Sequence, residues 1–230
     1  MTKCYLIKGS DKNLIPLFLI RTRIILNRGY ILKKKILLFF LGIICFIVAQ
    51  PLLRINILNN LQNSTKFIAF YTVNPLLVGI LIAFSAGIFE ESFRFIFRKF
   101  FIKSESVDIT MPFLFGLGHG LSEASFILLP FIFNTPISML SVAILERFLA
   151  IILHVGLTVI VWNGFQLNKR FKYLLVAILV HGLVNSLIPI LSSIKNWVIL
   201  IESALAFIDI FVIIYIYKSR KYYYLKEENR

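Results

Sequence analysis

The chain has 230 residues, 59% of them hydrophobic and only 16% charged, with 25 Lys and Arg against 11 Asp and Glu and a formal net charge of +14. A water-soluble domain of this length cannot hide so much apolar surface, and the 23 phenylalanines do not suit a nucleic-acid binder. Disorder, collagen and disulfide scaffolds are excluded by the same composition, which leaves an integral membrane protein.

Residues 1–35 form a basic N-terminal segment. Within it Leu14–Leu32 mixes Ile and Leu with Arg21, Arg23 and Arg28 and is expected at the membrane interface. A bilayer core of ~30 Å takes about 20 apolar residues per helix. Six stretches reach that length: Ile36–Leu53, Phe67–Phe89, Met111–Phe133, Ile137–Trp162, Tyr173–Leu191 and Trp197–Tyr217. The second can continue as helix through Glu90 and Arg94 to Arg98. A basic tail, 218–230, carries Tyr222–Tyr224 as an interfacial anchor. Cys4 and Cys45 match neither a disulfide framework nor a metal-ligand spacing. The expected fold is an all-α polytopic membrane helix bundle of about six transmembrane helices, with residues 36–217 as one helical domain.

Lys and Arg collect in cytoplasmic loops. Twenty of the 25 fall before the first stretch, after the second, after the fourth and in the tail; the other loops hold only Arg54, Lys66 and Lys195. Both termini are therefore expected in the cytoplasm. The charge reads as an orientation signal with attraction to anionic lipids, not as a nucleic-acid surface.

Against this background the polar residues inside the spans stand out, because each costs free energy in the bilayer and defaults to a functional hypothesis. All three histidines of the chain, His119, His154 and His181, lie there, with Glu90, Glu91, Arg94, Glu123, Glu146, Arg147, Glu202 and Asp209. Counted from the expected cytoplasmic ends, Glu90, His119, His154, His181 and Asp209 share a layer ~12 Å deep. Glu90 and Arg94, His119 and Glu123, and His181 and Asn185 are each four apart, on one helix face. Glycines beside the histidines (Gly116, Gly118, Gly120, Gly156, Gly182) predict close helix packing.

Glu, His and Asn in one buried layer have the parts for hydrolysis. A carboxylate beside a histidine can take a proton from water, and another His with an Asn can donate to an oxyanion. The same His and Glu set can instead ligate zinc. The chain has no His-Glu-x-x-His zinc motif, no Gly-x-Ser-Gly serine site and no Gly-x-Gly-Asp aspartyl site. A proton- or ion-coupled transporter and a non-catalytic membrane partner in bacteriocin maturation or immunity are the rival readings.

Three motifs occur in order: Glu90-Glu91-Ser92-Phe93-Arg94, Phe115-Gly116-Leu117-Gly118-His119 and His181-Gly182-Leu183-Val184-Asn185. With them stand Gly118-His119-Gly120-Leu121-Ser122-Glu123, and Glu146-Arg147 followed by His154. This pattern resembles the CAAX-protease and bacteriocin-processing (CPBP, or Abi) superfamily, and within it the YhfC-like branch. The resemblance implies a glutamate-dependent intramembrane protease acting on a membrane-embedded or membrane-associated peptide. It implies that Glu90 with His119 activates water, that His181 and Asn185 form the oxyanion hole, that Glu91 and Arg94 organise the site, and that Glu123 and His154 are branch-specific. No cofactor is expected on this reading; zinc stays open, with Glu90, His119, His154 and His181 as its ligands.

Overall fold

A computed structural model describes residues 32–102 and 108–224. Residues 14–31 of the interfacial segment expected at Leu14–Leu32, and the end of the basic tail, residues 225–230, lie outside the described residues. Two units are distinguished, residues 1–37 and Leu38–Arg230. Of the first, only helical residues 32–37 are described.

The described residues form helices joined by short turns, without a strand. Six helices are long and apolar enough to cross a membrane, so the protein is a multi-pass membrane protein. They are α1 (Leu32–Gln62), α3 (Pro75–Phe100), α4 (Thr110–Ile132), α5 (Ile137–Gln166), α6 (Arg170–Leu191) and α7 (Trp197–Ser219). Two short helices complete the set, α2 (Thr65–Val73) and α8 (Lys221–Tyr224).

Two boundaries differ most from the sequence expectation, each for a local reason. The first span runs past Leu53 to Gln62, because Pro51 is absorbed into a wide π-helical stretch, Val48–Arg54, and does not end the helix. Arg54 thus lies within a helix and not in a loop. The stretch expected to begin at Phe67 is broken at Asn74-Pro75. A residue before proline is disfavoured in helical geometry, and Asn74 sits at φ −132°, ψ 57°, with Pro75 opening α3. The preceding residues form α2, whose first turn is capped by Ser64 accepting from the Phe67 amide at 3.2 Å. At its other end α3 continues to Phe100, as the Phe-rich run predicted.

Glycine sets the closest approaches. On α3, a Cβ at Gly87 would lie 2.9 Å from the Ile178 carbonyl oxygen and 3.0 Å from the Gly182 amide of α6. On α4, a Cβ at Gly116 would lie 2.7 Å from the Val155 Cα of α5, and one at Gly120 would lie 3.1 Å from the Ile151 Cα. Backbones can come this near only where a side chain is missing. These contacts place α3 on α6 and α4 on α5, the most extensive helix pairings, and bring the polar residues of all four helices to one point. Toward the ends of α3 and α5, buried Arg98 stacks on Trp162 and Phe165, 5.0 and 5.1 Å from the ring centroids.

Candidate active site

Glu90, Glu91 and Arg94 project from one face of α3, one turn beyond the Gly87 contact, while His119 comes from α4, His154 from α5 and His181 from α6. All six are at most 3% exposed. Glu90 is the hub. Its Oε2 lies 2.8 Å from His119 Nε2, 3.5 Å from Arg94 Nη2 and 3.8 Å from His154 Nδ1. Its Oε1 lies 3.9 Å from His181 Nε2 and accepts a short hydrogen bond from Gln50 Nε2. The histidine rings are neighbours, with centroids 5.3 Å apart for His119 and His154 and 5.4 Å for His154 and His181.

Around this hub further charged partners hold the rings of His154 and His181. Glu91 Oε1 accepts from Arg94 Nη1 at 2.7 Å and from His181 Nδ1 at 2.8 Å. Arg94 Nη2 donates to His154 Nδ1 at 2.7 Å. On its far side His154 Nε2 contacts Glu123, which also meets Arg147 Nη1 at 3.2 Å. Arg147 is held in turn by its neighbour Glu146. A cleft of about 500 Å³ opens onto Glu90, with Gln50, Arg54, Glu123, Arg147 and Asn185 among its polar lining and Phe46, Phe126 and Ile188 on its apolar walls.

The expected constellation is therefore assembled from four helices, with corrections of detail. Glu123 does not pair with His119 along α4. His119 turns its Nε2 to Glu90, and Glu123 crosses to His154 and Arg147 of α5, accepting a hydrogen bond from Arg147 and facing the His154 ring. Asn185 lines the cleft, yet among the described residues no hydrogen bond joins it to His181. Asp209 is buried at 2% exposure but stays apart from the cluster, and neither of its carboxylate oxygens has a partner among the described residues. Gln50 and Arg54 were missed. Gln50 lies inside the expected span Ile36–Leu53 as a single uncharged polar residue, and Arg54 directly follows that span, where it reads as a loop residue.

The donor chemistry suits a divalent metal. Nitrogens of His119 and His154 and a carboxylate oxygen of Glu90 lie within 4.8 Å of one another. Two of the three histidines have a carboxylate on their far nitrogen, Glu123 on His154 and Glu91 on His181, the arrangement that orients metal-binding imidazoles. At the centre two carboxylates face one guanidinium, and the remaining negative charge calls for a proton on a histidine or a metal cation. One feature opposes the metal: the Arg94 guanidinium already bonds to His154 Nδ1, a nitrogen a metal would need, so it must release that atom first. The expectation of a cofactor-free site thus gains no support from this donor set.

Comparison with known proteins gives the same direction. The family model described as "YhfC intramembrane metalloprotease" matches residues 14–130 and 127–205. The chain is 27% identical over 214 residues to the uncharacterized membrane protein YhfC of Bacillus subtilis (strain 168), covering 78% of this chain and 80% of that protein. With a match across most of its length, six spanning helices and a buried Glu–His centre, the chain belongs to the YhfC family, described as intramembrane metalloproteases.

Proposed function

We propose that the protein is an intramembrane peptidase that hydrolyses a peptide bond of a membrane-embedded or membrane-associated substrate in the Glu90 cleft. The observation that carries this reading is the position of Glu90: a buried carboxylate opening on a cleft, hydrogen-bonded to His119 and with His154 and His181 within 4 Å. A buried charge with so many partners is costly to assemble in a membrane, and water activation is a use that repays it.

In this reading a substrate segment enters the cleft between its apolar walls and its scissile carbonyl comes to rest over Glu90. Glu90 with His119 takes a proton from the attacking water. His181, carrying a proton on each ring nitrogen and backed by Glu91, and Asn185 on the cleft wall donate to the oxyanion. Arg94 spaces the two carboxylates and steadies their charge, and Glu123 orients His154. In the metal form of the chemistry Glu90, His119 and His154 would be the ligands rather than the base, and the ion they hold would supply Lewis-acid stabilisation of the charge that builds on the carbonyl oxygen. A second reading, in which the guanidinium of Arg94 is the resident cation and the glutamate acts without metal, is favoured by the 2.7 Å bond from Arg94 to His154. The shared order of the three motifs supports kinship with the CPBP superfamily. The excess of basic residues supports cytoplasmic termini in contact with anionic lipid.

The test is cleavage of candidate membrane peptides by the purified protein, with and without a chelator, with metal content measured alongside. A loss of cleavage of about 100-fold or more in Glu90→Gln and in His119→Ala is expected. Cleavage retained in both variants would overturn the reading, and loss on chelation that returns with zinc selects the metal chemistry over the glutamate one.

A further inference from the structure

The first span supplies none of the motif residues, yet one of its side chains holds the central carboxylate. Gln50, 7% exposed in the π-helical stretch of α1, donates from Nε2 to Glu90 Oε1. Its own Oε1 accepts from Arg54 Nη1 at 2.9 Å. Arg54 also donates from Nε to Ser85 Oγ at 2.8 Å and from Nη2 to the Ile82 carbonyl at 2.8 Å. A guanidinium carries only donors, so the Gln50 atom it meets is the carbonyl oxygen and the atom on Glu90 is the amide nitrogen. The relay therefore has one direction, from Arg54 through Gln50 to Glu90, and does not depend on how an amide is flipped.

Its anchor points add to this. Ile82 and Ser85 belong to α3, the helix that carries Glu90. Arg54 is thus clamped to the helix whose carboxylate it serves, and α1 is tied to α3 at both ends of the relay. Pro51 lies between Gln50 and Arg54, and the wide turn around it is of the kind that gathers at functional sites.

We propose that Gln50, held by Arg54, is a positioning residue for Glu90. By occupying Oε1 it keeps Oε2 on His119. Without it, the carboxylate is free to turn onto Arg94, 3.5 Å away, in the two-pronged pairing that guanidinium and carboxylate favour, and His119 loses its partner. The consequence for turnover rests on the peptidase reading; the effect on Glu90 does not.

The experiment uses the full chain in detergent with two variants, Gln50→Met, which keeps the length and removes the donor, and Arg54→Met, which leaves the amide unanchored. The infrared carboxylate stretch that disappears in Glu90→Gln reports on Glu90 directly. We expect it to shift in Gln50→Met and, by less, in Arg54→Met. On a cleaved peptide kcat falls by about 100-fold in Gln50→Met with KM little changed, the signature of a misplaced group and not of weaker binding. Either variant suffices if the other fails to fold. An unmoved Glu90 band in a folded variant overturns the proposal, whether or not the wild type cleaves. A shifted band in a protein that cleaves no peptide upholds the positioning role and tells against the peptidase reading instead.

Discussion

Arg94 donates from Nη2 to Nδ1 of His154 across 2.7 Å, tying the acidic motif of α3 to the histidine of α5. Because a guanidinium cannot accept, Nδ1 must be the lone-pair nitrogen, and in a neutral ring the proton sits on Nε2, facing Glu123. His181 is held the other way round, with Nδ1 on Glu91 and Nε2 toward Glu90. The two rings present opposite nitrogens to one carboxylate, and in each case a second carboxylate selects which.

The Glu123–His154 contact predicts a measurable dependence of turnover on Glu123. Glu123→Gln keeps one acceptor for His154 but removes the charge shared with Arg147, and a loss of kcat of about 10- to 100-fold is expected, in line with outer partners of catalytic histidines. Steady-state kinetics on a cleaved peptide checks it. Unchanged kcat would detach Glu123 from the reaction.

Arg94 competes with a metal for His154 Nδ1. In Arg94→Gln the zinc content of purified protein, read by elemental mass spectrometry, is expected to equal or exceed that of the wild type, while Glu90→Gln and His119→Ala lose it. Zinc absent from all four proteins after loading and desalting argues for the metal-free chemistry.

Glu90 and His119 form the 2.8 Å pair at the centre of the cluster. General acid–base groups contribute roughly 10² to 10⁴ in rate. Glu90→Gln and His119→Ala are each expected to lower kcat/KM by about that factor, and the double variant by little more than the worse single one, because the two act as a unit. Multiplicative losses would show that they act separately.

Close packing at Gly116 brings His119 beside His154. A Cβ there would lie 2.7 Å from the Val155 Cα, an atom of the backbone that cannot step aside. Gly116→Val is expected to destabilise the protein by about 1–3 kcal/mol and to cost activity beyond the unfolded fraction. Thermal unfolding in detergent together with kinetics separates the two effects.

Asp209 is buried without a partner among the described residues. An unpaired acid among apolar side chains is a cost that an apolar residue of similar size relieves. Asp209→Leu is expected to raise the unfolding temperature and leave cleavage intact. Lost cleavage in a well-folded variant would show that Asp209 takes part in the reaction.

How far the molecule was legible in its sequence can be argued residue by residue. The six spans followed from apolar length, since a bilayer tolerates little else. The candidate residues followed because Glu90, His119, His154 and His181 are expensive where they stand. Pro75 and Pro51 show the limit of such reading. One proline breaks a helix and the other is absorbed into a wide turn, and which happens depends on whether neighbouring helices satisfy the freed backbone groups.

By itself, then, the sequence determined that the chain is a membrane bundle with a polar core of Glu and His, because hydrophobic length and the cost of buried charge are properties of composition and spacing. Only the tertiary structure decided who pairs with whom: Glu123 with His154 and not His119, Gln50 with Glu90, Arg94 with His154, and Asp209 with none of them. Those choices turn on helix rotation and on how closely the glycines let backbones approach. A few degrees or one methyl group there redirects a carboxylate to another helix, and nothing local in the chain records it.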